Sequence, residues 1–206
     1  MFTYTIAKTV EQMEVARSLI SKMYHKVGYL PEDEEYSPIY QYLNKPGATT
    51  FLAYIKTKIV GTISVIQDSG ELPMDTQFKD VLDVLRNENK KIAEISQFAI
   101  DRDTILNFSF NEHELSLNLL YLITQFSFEQ NIQTYVFAVK HKHAKFYELL
   151  GALPLSEERT YGFANIIPVA AYKLDMRKLN TQISNSTIDS IVLKKLFAHP
   201  APTLIQ

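Results

Sequence analysis

Cysteine is absent from the 206 residues, which excludes thiolate nucleophiles, cysteine-based zinc sites and structural disulfides. That lack also fits a reducing compartment. Glycine is scarce: only Gly28, Gly47, Gly61, Gly70, Gly151 and Gly162 occur. No pair has the spacing of G-x-G-x-x-G or of a Walker loop, and G-x-S-x-G is missing. A dinucleotide cradle, a P-loop and an α/β-hydrolase elbow are therefore excluded. Surplus positive charge is lacking as well. The formal charge is −2, whereas nucleic-acid binders usually carry a basic excess. Long apolar runs are missing too. Met1–Lys8 has no basic leader pattern, and the apolar window Leu115–Phe128 is broken by Asn118 and Gln125 and is too short to span a bilayer. These absences predict a soluble, cytoplasmic chain with no nucleic-acid partner and no stable membrane insertion. What is present is enough apolar sequence, 46% of residues against 21% charged, to bury a core. The length fits one domain, or one domain plus an appendage.

Phe2–Ala7 alternates and predicts a first strand. Thr9 and Gln12 form a capping-box pattern ahead of Val10, Met13, Ala16, Leu19, Ile20 and Met23, so a helix is predicted to about Val27, with Gly28 as its stop. Residues 29–46 hold Pro31, Pro38, Pro46 and four tyrosines, and read as a long loop with one short helix near Ile39–Leu43. Thr50–Ile55 and Ile59–Ile66 predict a hairpin across Lys56-Thr57-Lys58. An inserted helix follows from Asp75 to Asn89, with Phe78, Val81, Leu82 and Leu85 on one face. Lys91–Asp101 is the next strand, and the polar stretch after it predicts turns leading into a helix over Glu112–Gln130. Thr134–Val139 reads as a buried strand and Ala144–Leu150 as a short helix ended by Gly151. A last strand pair starts near Glu158 and closes with Tyr172–Asp175. Strands interleaved with helices after a hairpin give an α/β domain with a mixed sheet, assigned to residues 1–178. Residues 179–206 form a tail in which Ile188, Ile191, Val192 and Leu196 share one helical face. That face either docks on its own domain or makes a homodimer contact.

Three patterns carry chemistry. In Glu94-Ile95-Ser96-Gln97-Phe98-Ala99-Ile100-Asp101, alternation puts Glu94, Ser96, Phe98 and Ile100 on one face and Ile95, Gln97 and Ala99 on the other. A carboxylate inside an apolar central strand is expensive to bury, and its pKa rises from about 4.3. Such a Glu94 suits a general base for an ammonium group. It reads equally as a carboxylate at a frayed strand start, paired with Lys90 or Lys91. The second pattern, Lys140-His141-Lys142-His143-Ala144-Lys145, puts cations at a helix start, opposed to the helix dipole. It is either a solvated basic turn or a site for a phosphate or an acidic partner. His141 and His143 lack further ligand-spaced residues, so no metal site is assigned. The third is Tyr147, whose ordinary pKa of about 10 suits a general acid returning a proton to a leaving thiolate.

Ala144-x-x-Tyr147-x-x-x-Gly151, together with the element order, resembles the GNAT acyltransferase superfamily. Within it the chain is similar to the N-acyl amino acid synthases and their acyl-homoserine-lactone synthase relatives. The resemblance is carried by Leu72-Pro73-Met74-Asp75, Glu94–Ile100, His143–Tyr147 with Leu150-Gly151, and Asn165–Ala170. It implies a mixed, mostly antiparallel sheet flanked by helices. It also implies transfer of a fatty acyl group from a pantetheine thioester to the amine of an amino acid or similar small molecule, with no tightly bound cofactor.

By the same resemblance, Glu94 is the base, Tyr147 or Ser96 the acid, and backbone N–H groups near Phe98, Ala99 and Ile100 hold the oxyanion. The donor arm lies between the Lys91–Asp101 and Thr134–Val139 strands, beside Val139, His141, His143 and Phe146. Gln97 and Phe137 fall in the substrate region, with Phe98, Ile100, Phe137 and Phe146 lining an acyl tunnel or simply forming core. Acetyl-CoA users of the superfamily carry Q/R-x-x-G-x-G/A where this chain has Asp101–Asn107, without glycine and with two acids. An acyl carrier protein is therefore the expected donor and partner, its acidic face meeting Lys140–Lys145. Gln97 stands where the related families have arginine in E-x-S-R, which loses a fixed charge and a bidentate fork. The alternatives are an acetyl-CoA-dependent N-acetyltransferase and a non-catalytic GNAT-like binding module.

Overall fold

A computed structural model of the chain describes residues 1–31, 40–88, 90–161, 167–184, 202 and 204. Among these, one eight-stranded sheet runs in the order β1 (Phe2–Ile6), β2 (Ala48–Ile55), β3 (Lys58–Gln67), β4 (Ile92–Ile100), β5 (Thr134–Val139), β8 (Ile167–Asp175) and β6 (Leu153–Pro154). The strand β7 (Arg159–Tyr161) also pairs with β8. All pairings are antiparallel except that of β4 with β5. One face of the sheet is covered by α1 (Val10–Lys26), α2 (Tyr40–Leu43) and α3 (Asp75–Asn87), which bury Ile20, Leu43 and Phe78 against Ile66, Ile92 and Val136. The other face packs on α4 (Arg102–Asn107), α5 (Glu112–Glu129), α6 (His141–Leu149) and α7 (Met176–Ser184), through Ile105, Leu119, Ala144 and Leu179.

Local chemistry explains most of these boundaries. The Thr9 hydroxyl accepts from the Gln12 N–H while the Gln12 side chain accepts from the Thr9 N–H, closing the capping box that starts α1. The hairpin between β2 and β3 turns at Lys56, which takes the left-handed conformation at φ 56°. Gly61, in central β3, lets α5 approach closely. A Cβ there would lie 3.1 Å from Leu115 Cδ2 and 3.2 Å from Leu119 Cδ1.

Three sequence expectations are corrected. The stretch predicted as turns after Asp101 contains the helix α4, because the Asp101 carboxylate accepts from the Thr104 N–H at 3.1 Å and supplies its N-cap. Helix α6 begins at His141, three residues before the predicted start. The face assignment on β4 also fails beyond Ser96. Phe98 and Ile100 pack with Ile95 against the α5 side, while Ala99 joins Ile92 on the α1–α3 side. The cause is a bulge: the β3 register steps from Thr62↔Ala99 to Ser64↔Ser96, so β4 holds one extra residue there and its alternation flips.

The proposed tail helix over Ile188–Leu196 lies outside the described residues. Helix α7 crosses residue 178, with Met176 and Leu179 buried in the core, and Leu204 bridges to Tyr4. Among the described residues no helix is long and apolar enough to cross a membrane. Gly61→Val should overpack the seam between β3 and α5 and lower unfolding stability by about 1–3 kcal/mol, measured as a drop in the urea midpoint at unchanged m.

Candidate active site

The parallel pairing of β4 with β5 is short. Ile92↔Thr134, Ala93↔Tyr135 and Glu94↔Val136 are in register, and beyond them the two strands part. Each keeps its other neighbour: β4 stays with β3 to Ile100↔Gly61, and β5 stays with β8 to Val139↔Ala170. From Ile95 to Ile100 the β5-facing backbone of β4 has no strand partner among the described residues, so its N–H and C=O groups are free for a ligand. Gln97 sits inside this opening with φ 57°, a conformation that costs a non-glycine residue about 1–3 kcal/mol and persists where the surroundings impose it. Its side chain is buried, and neither amide atom has a partner.

Glu94 lies where the strands begin to part, 2% exposed. Its Oε2 accepts the Met74 N–H at 2.9 Å, and Oε1 makes no hydrogen bond to a described residue. Burial pushes its carboxyl well above the usual range. The Met74 N–H opposes that shift, and the Asp75 and Asp68 carboxylates reinforce it. The reading of Glu94 as a frayed-end carboxylate paired with lysine is overturned: Lys90 pairs with Glu88, and Lys91 donates to the Gln130 carbonyl.

The turn that presents Met74 is tied down by charge. Asp75 accepts the Leu72 N–H at 2.6 Å, and Arg86 bridges Asp75 and Asp68 with contacts of 2.6–3.2 Å. Burial raises the pKa of Tyr24 of α1, Tyr42 of α2 and Tyr161 of β7, and the Glu94 carboxylate adds to each shift.

The other predicted residues spread around the opening. Ser96 and Phe98 flank Gln97 and are partly buried, Ala99 is buried, and Ile100 is partly buried at the end of β4. Tyr147, on α6, packs its ring 5.1 Å from Phe137. Burial raises its hydroxyl to about 12, with Tyr29 adding to the shift. The Tyr24 ring packs 5.5 Å from that of Tyr29, and Tyr29 adds to the Tyr147 shift. Phe137 is buried between Tyr147 and Tyr172, and Val139 closes β5. His141 and His143 are exposed at the start of α6, while Phe146 shows 37% of its surface. Desolvation lowers the His143 pKa, and Lys142, Lys140 and Arg102 lower it further. Lys140 lies 4.0 Å over the Tyr29 ring.

Sequence reasoning missed Tyr24, Tyr42, Tyr161 and the Arg86 network. Tyrosine enrichment between residues 29 and 42 was the only signal, and residues 32–39 lie outside the described set. Among the described residues no group of three or more His, Asp or Glu side chains gathers to hold a metal ion. Two surface concavities, of about 410 Å³ beside Arg86 and Lys91 and about 370 Å³ beside Thr9 and Asn44, lie outside the opening.

The fold that holds this opening has known relatives. The structure of FeeM, an N-acyl amino acid synthase from uncultured soil microbes, superposes with a TM-score of 0.77 at 28% identity, covering 88% of this chain and 94% of that one. The acyl-homoserine-lactone synthase LasI matches in fold, with a TM-score of 0.63 at 16% identity over 85% and 90% of the two chains. BjaI, a CoA-dependent acyl-homoserine lactone synthase solved with SAM and isopentyl-CoA, gives 0.61 at 14% over 97% and 100%. No curated protein matches. The family model for N-acyl amino acid synthase FeeM matches residues 15–175, and the chain belongs to that family of GNAT-like N-acyltransferases.

Proposed function

We propose that this N-acyltransferase moves a fatty acyl group from the phosphopantetheine arm of an acyl carrier protein to the primary amine of an amino acid. The observation that carries the reading is Glu94, a nearly solvent-free carboxyl with one free oxygen where β4 and β5 part. The arm lies in the opening as an added strand on β4. Glu94 takes a proton from the acceptor's ammonium, directly or through a water, and the freed nitrogen attacks the thioester carbonyl. N–H groups near Phe98–Ile100 hold the oxyanion, and one such donor is worth about 2.7–4 kcal/mol. Collapse forms the amide and expels the thiolate, which takes its proton from Tyr147 or Ser96, and the second proton of the attacking nitrogen returns through water to that group. A tyrosine held near 12 keeps its proton at neutral pH until a thiolate develops beside it.

The choice of carrier protein over CoA rests on Asp101. Burial pushes its carboxyl up, but the Lys22 ammonium at 2.7 Å and the Thr104 N–H and hydroxyl outweigh burial and hold it low. The charged carboxylate occupies the start of α4, where acetyl-CoA users offer free N–H groups to the pyrophosphate, so a pyrophosphate there meets a filled site and like charge. Helix α6 presents the opposite situation. No side chain caps it, its first turn has no acid, and Lys142 and Lys145 are exposed beside Lys140. That surface suits the acidic face of a carrier. The protein acts as a soluble cytoplasmic enzyme in this reading.

Purified protein given long-chain acyl carrier protein and a pool of common amino acids should release free thiol and form an N-acyl amino acid. The corresponding acyl-CoA and acetyl-CoA should turn over far more slowly. CoA turnover equal to that of the carrier would overturn the donor assignment, and silence with every donor would leave the binding-module reading in its place. Reversing the charge of Lys142 and Lys145 to glutamate should raise KM for the carrier and flatten its salt dependence, with KM for the amine unchanged.

Glu94→Gln should lower kcat/KM by about 10²–10⁴-fold. It should also abolish the acidic limb of the pH–rate profile, which in the parent rises at a pH above the ordinary glutamate value. The stability effect has the opposite sign. Because the folded pKa lies above the unfolded value of about 4.3, the unfolded chain ionises first, and Glu94 costs stability as pH rises from there toward its folded pKa. The variant should therefore melt higher than the parent at neutral pH and converge on it below about pH 4, in paired thermal scans.

A further inference from the structure

We propose that Tyr161 contacts the acceptor, its hydroxyl and the Glu94 carboxyl together binding the acceptor's primary ammonium. This rests on the N-acyltransferase reading above and adds to it the group that the site recognises. The Tyr161 hydroxyl is buried and has no hydrogen-bond partner, an arrangement that native structures rarely leave without a ligand or a water. It makes no hydrogen bond to Glu94, and the two meet through one turn of α3: the Tyr161 ring lies 5.9 Å from that of Phe78, the Phe78 N–H donates to the Met74 carbonyl, and the Met74 N–H donates to Glu94. Glu94 Oε2 is committed to the Met74 N–H, and Oε1 is free.

Two oxygens with open lone pairs and no bond between them call for a bridging group rich in N–H donors. Among the described residues no lysine or arginine pairs with Tyr161 or Glu94: Lys45, Arg86 and Arg159 on the neighbouring elements are each engaged, with Glu71, with Asp68 and Asp75, and with Asp80. A carboxylate bound there would face Glu94 without a free counter-ion, whereas an ammonium meets a carboxylate and aromatic rings. The acceptor therefore enters amine first.

Tyr161 is held rigidly for this role. It pairs with Ile167 on β8, and its ring lies 5.9 Å from that of Phe78. Two residues earlier, Arg159 fastens β7 to α3. Its guanidinium forks onto Asp80 at 2.6 and 2.8 Å, donates to the Gln77 carbonyl at 2.7 Å and lies 5.3 Å over the Phe78 ring. Arg159 is thus a positioning residue for Tyr161.

The test is Tyr161→Phe, which deletes one oxygen. With long-chain acyl carrier protein as donor and each common amino acid as amine, the variant should raise KM for the amine about ten-fold or more. KM for the carrier and the melting temperature should hold. Arg159→Gln should shift KM for the amine in the same direction. An unchanged amine KM in Tyr161→Phe overturns the proposal. A lowered melting temperature with unchanged KM identifies the occupant as a structural water, which also overturns it.

Thermal shift without donor separates this proposal from the catalytic reading. The common amino acids and their methyl esters should raise the melting temperature of the parent but not of Tyr161→Phe, and their N-acetyl forms should raise neither. No rise in the parent, or an equal rise with the N-acetyl forms, rejects the ammonium site whether or not turnover is seen.

Discussion

Between Glu94 and Ile100, β4 keeps its ladder to β3 and gives up its ladder to β5, and the candidate site exists because of that asymmetry. A continuous sheet would have no exposed main-chain groups at its centre and no room for a substrate arm. The bulge at Gln97 accompanies the split. It adds a residue to β4, bends the strand, and holds a non-glycine residue at φ 57°. Antiparallel partners on both outer edges, β3 and β8, fix the strands where they part, so the opening is braced on either side.

The same split decides the energetics of Glu94. A carboxyl buried on the α1–α3 face is a net burden to the fold, relieved only by the Met74 N–H. The Asp75 and Asp68 carboxylates raise the burden, and Arg86 holds both in place by pairing with each. The arrangement makes a charge on Glu94 costly. In the proposed mechanism an arriving ammonium supplies the missing positive charge and stabilises the carboxylate that is to deprotonate it. A site built for stability alone would have placed a lysine beside Glu94; here Lys90 and Lys91 point elsewhere.

Helix and strand positions were largely legible because their signals are local: the Thr9–Gln12 capping box, the stripe on α5, and the Thr134–Val139 run all appear where the pattern puts them. The failures share one cause, which is dependence on distant partners. Nothing in Glu94–Asp101 announces that β4 gains a residue relative to β3, so strict alternation put Phe98 and Ile100 on the wrong face. Asp101 read as one of two loop acids, because its role as a helix cap paired with Lys22 needs a residue 79 positions away. Glu94 was legible as a costly carboxylate within a strand. Its tyrosines come from α1, α2 and β7, and no spacing rule links Tyr24, Tyr42 and Tyr161.

In the proposed mechanism, Asp101 joins the fold to donor choice. Its carboxylate caps α4, and its pairing with Lys22 ties α1 to the end of β4, so one buried charge both sets a helix start and anchors a helix across the sheet. A residue with that double structural duty cannot also yield the α4 terminus to a pyrophosphate, because displacing the carboxylate would break the cap and the tie together. The proposed anion-attracting end of the site is then α6, whose uncapped first turn carries no acid and follows Lys140. A carrier protein delivers its single phosphate from outside, against an exposed surface, and needs no enclosed nest. In the proposed reading, the distribution of caps between two short helices thus separates the donor classes, through the placement of one aspartate.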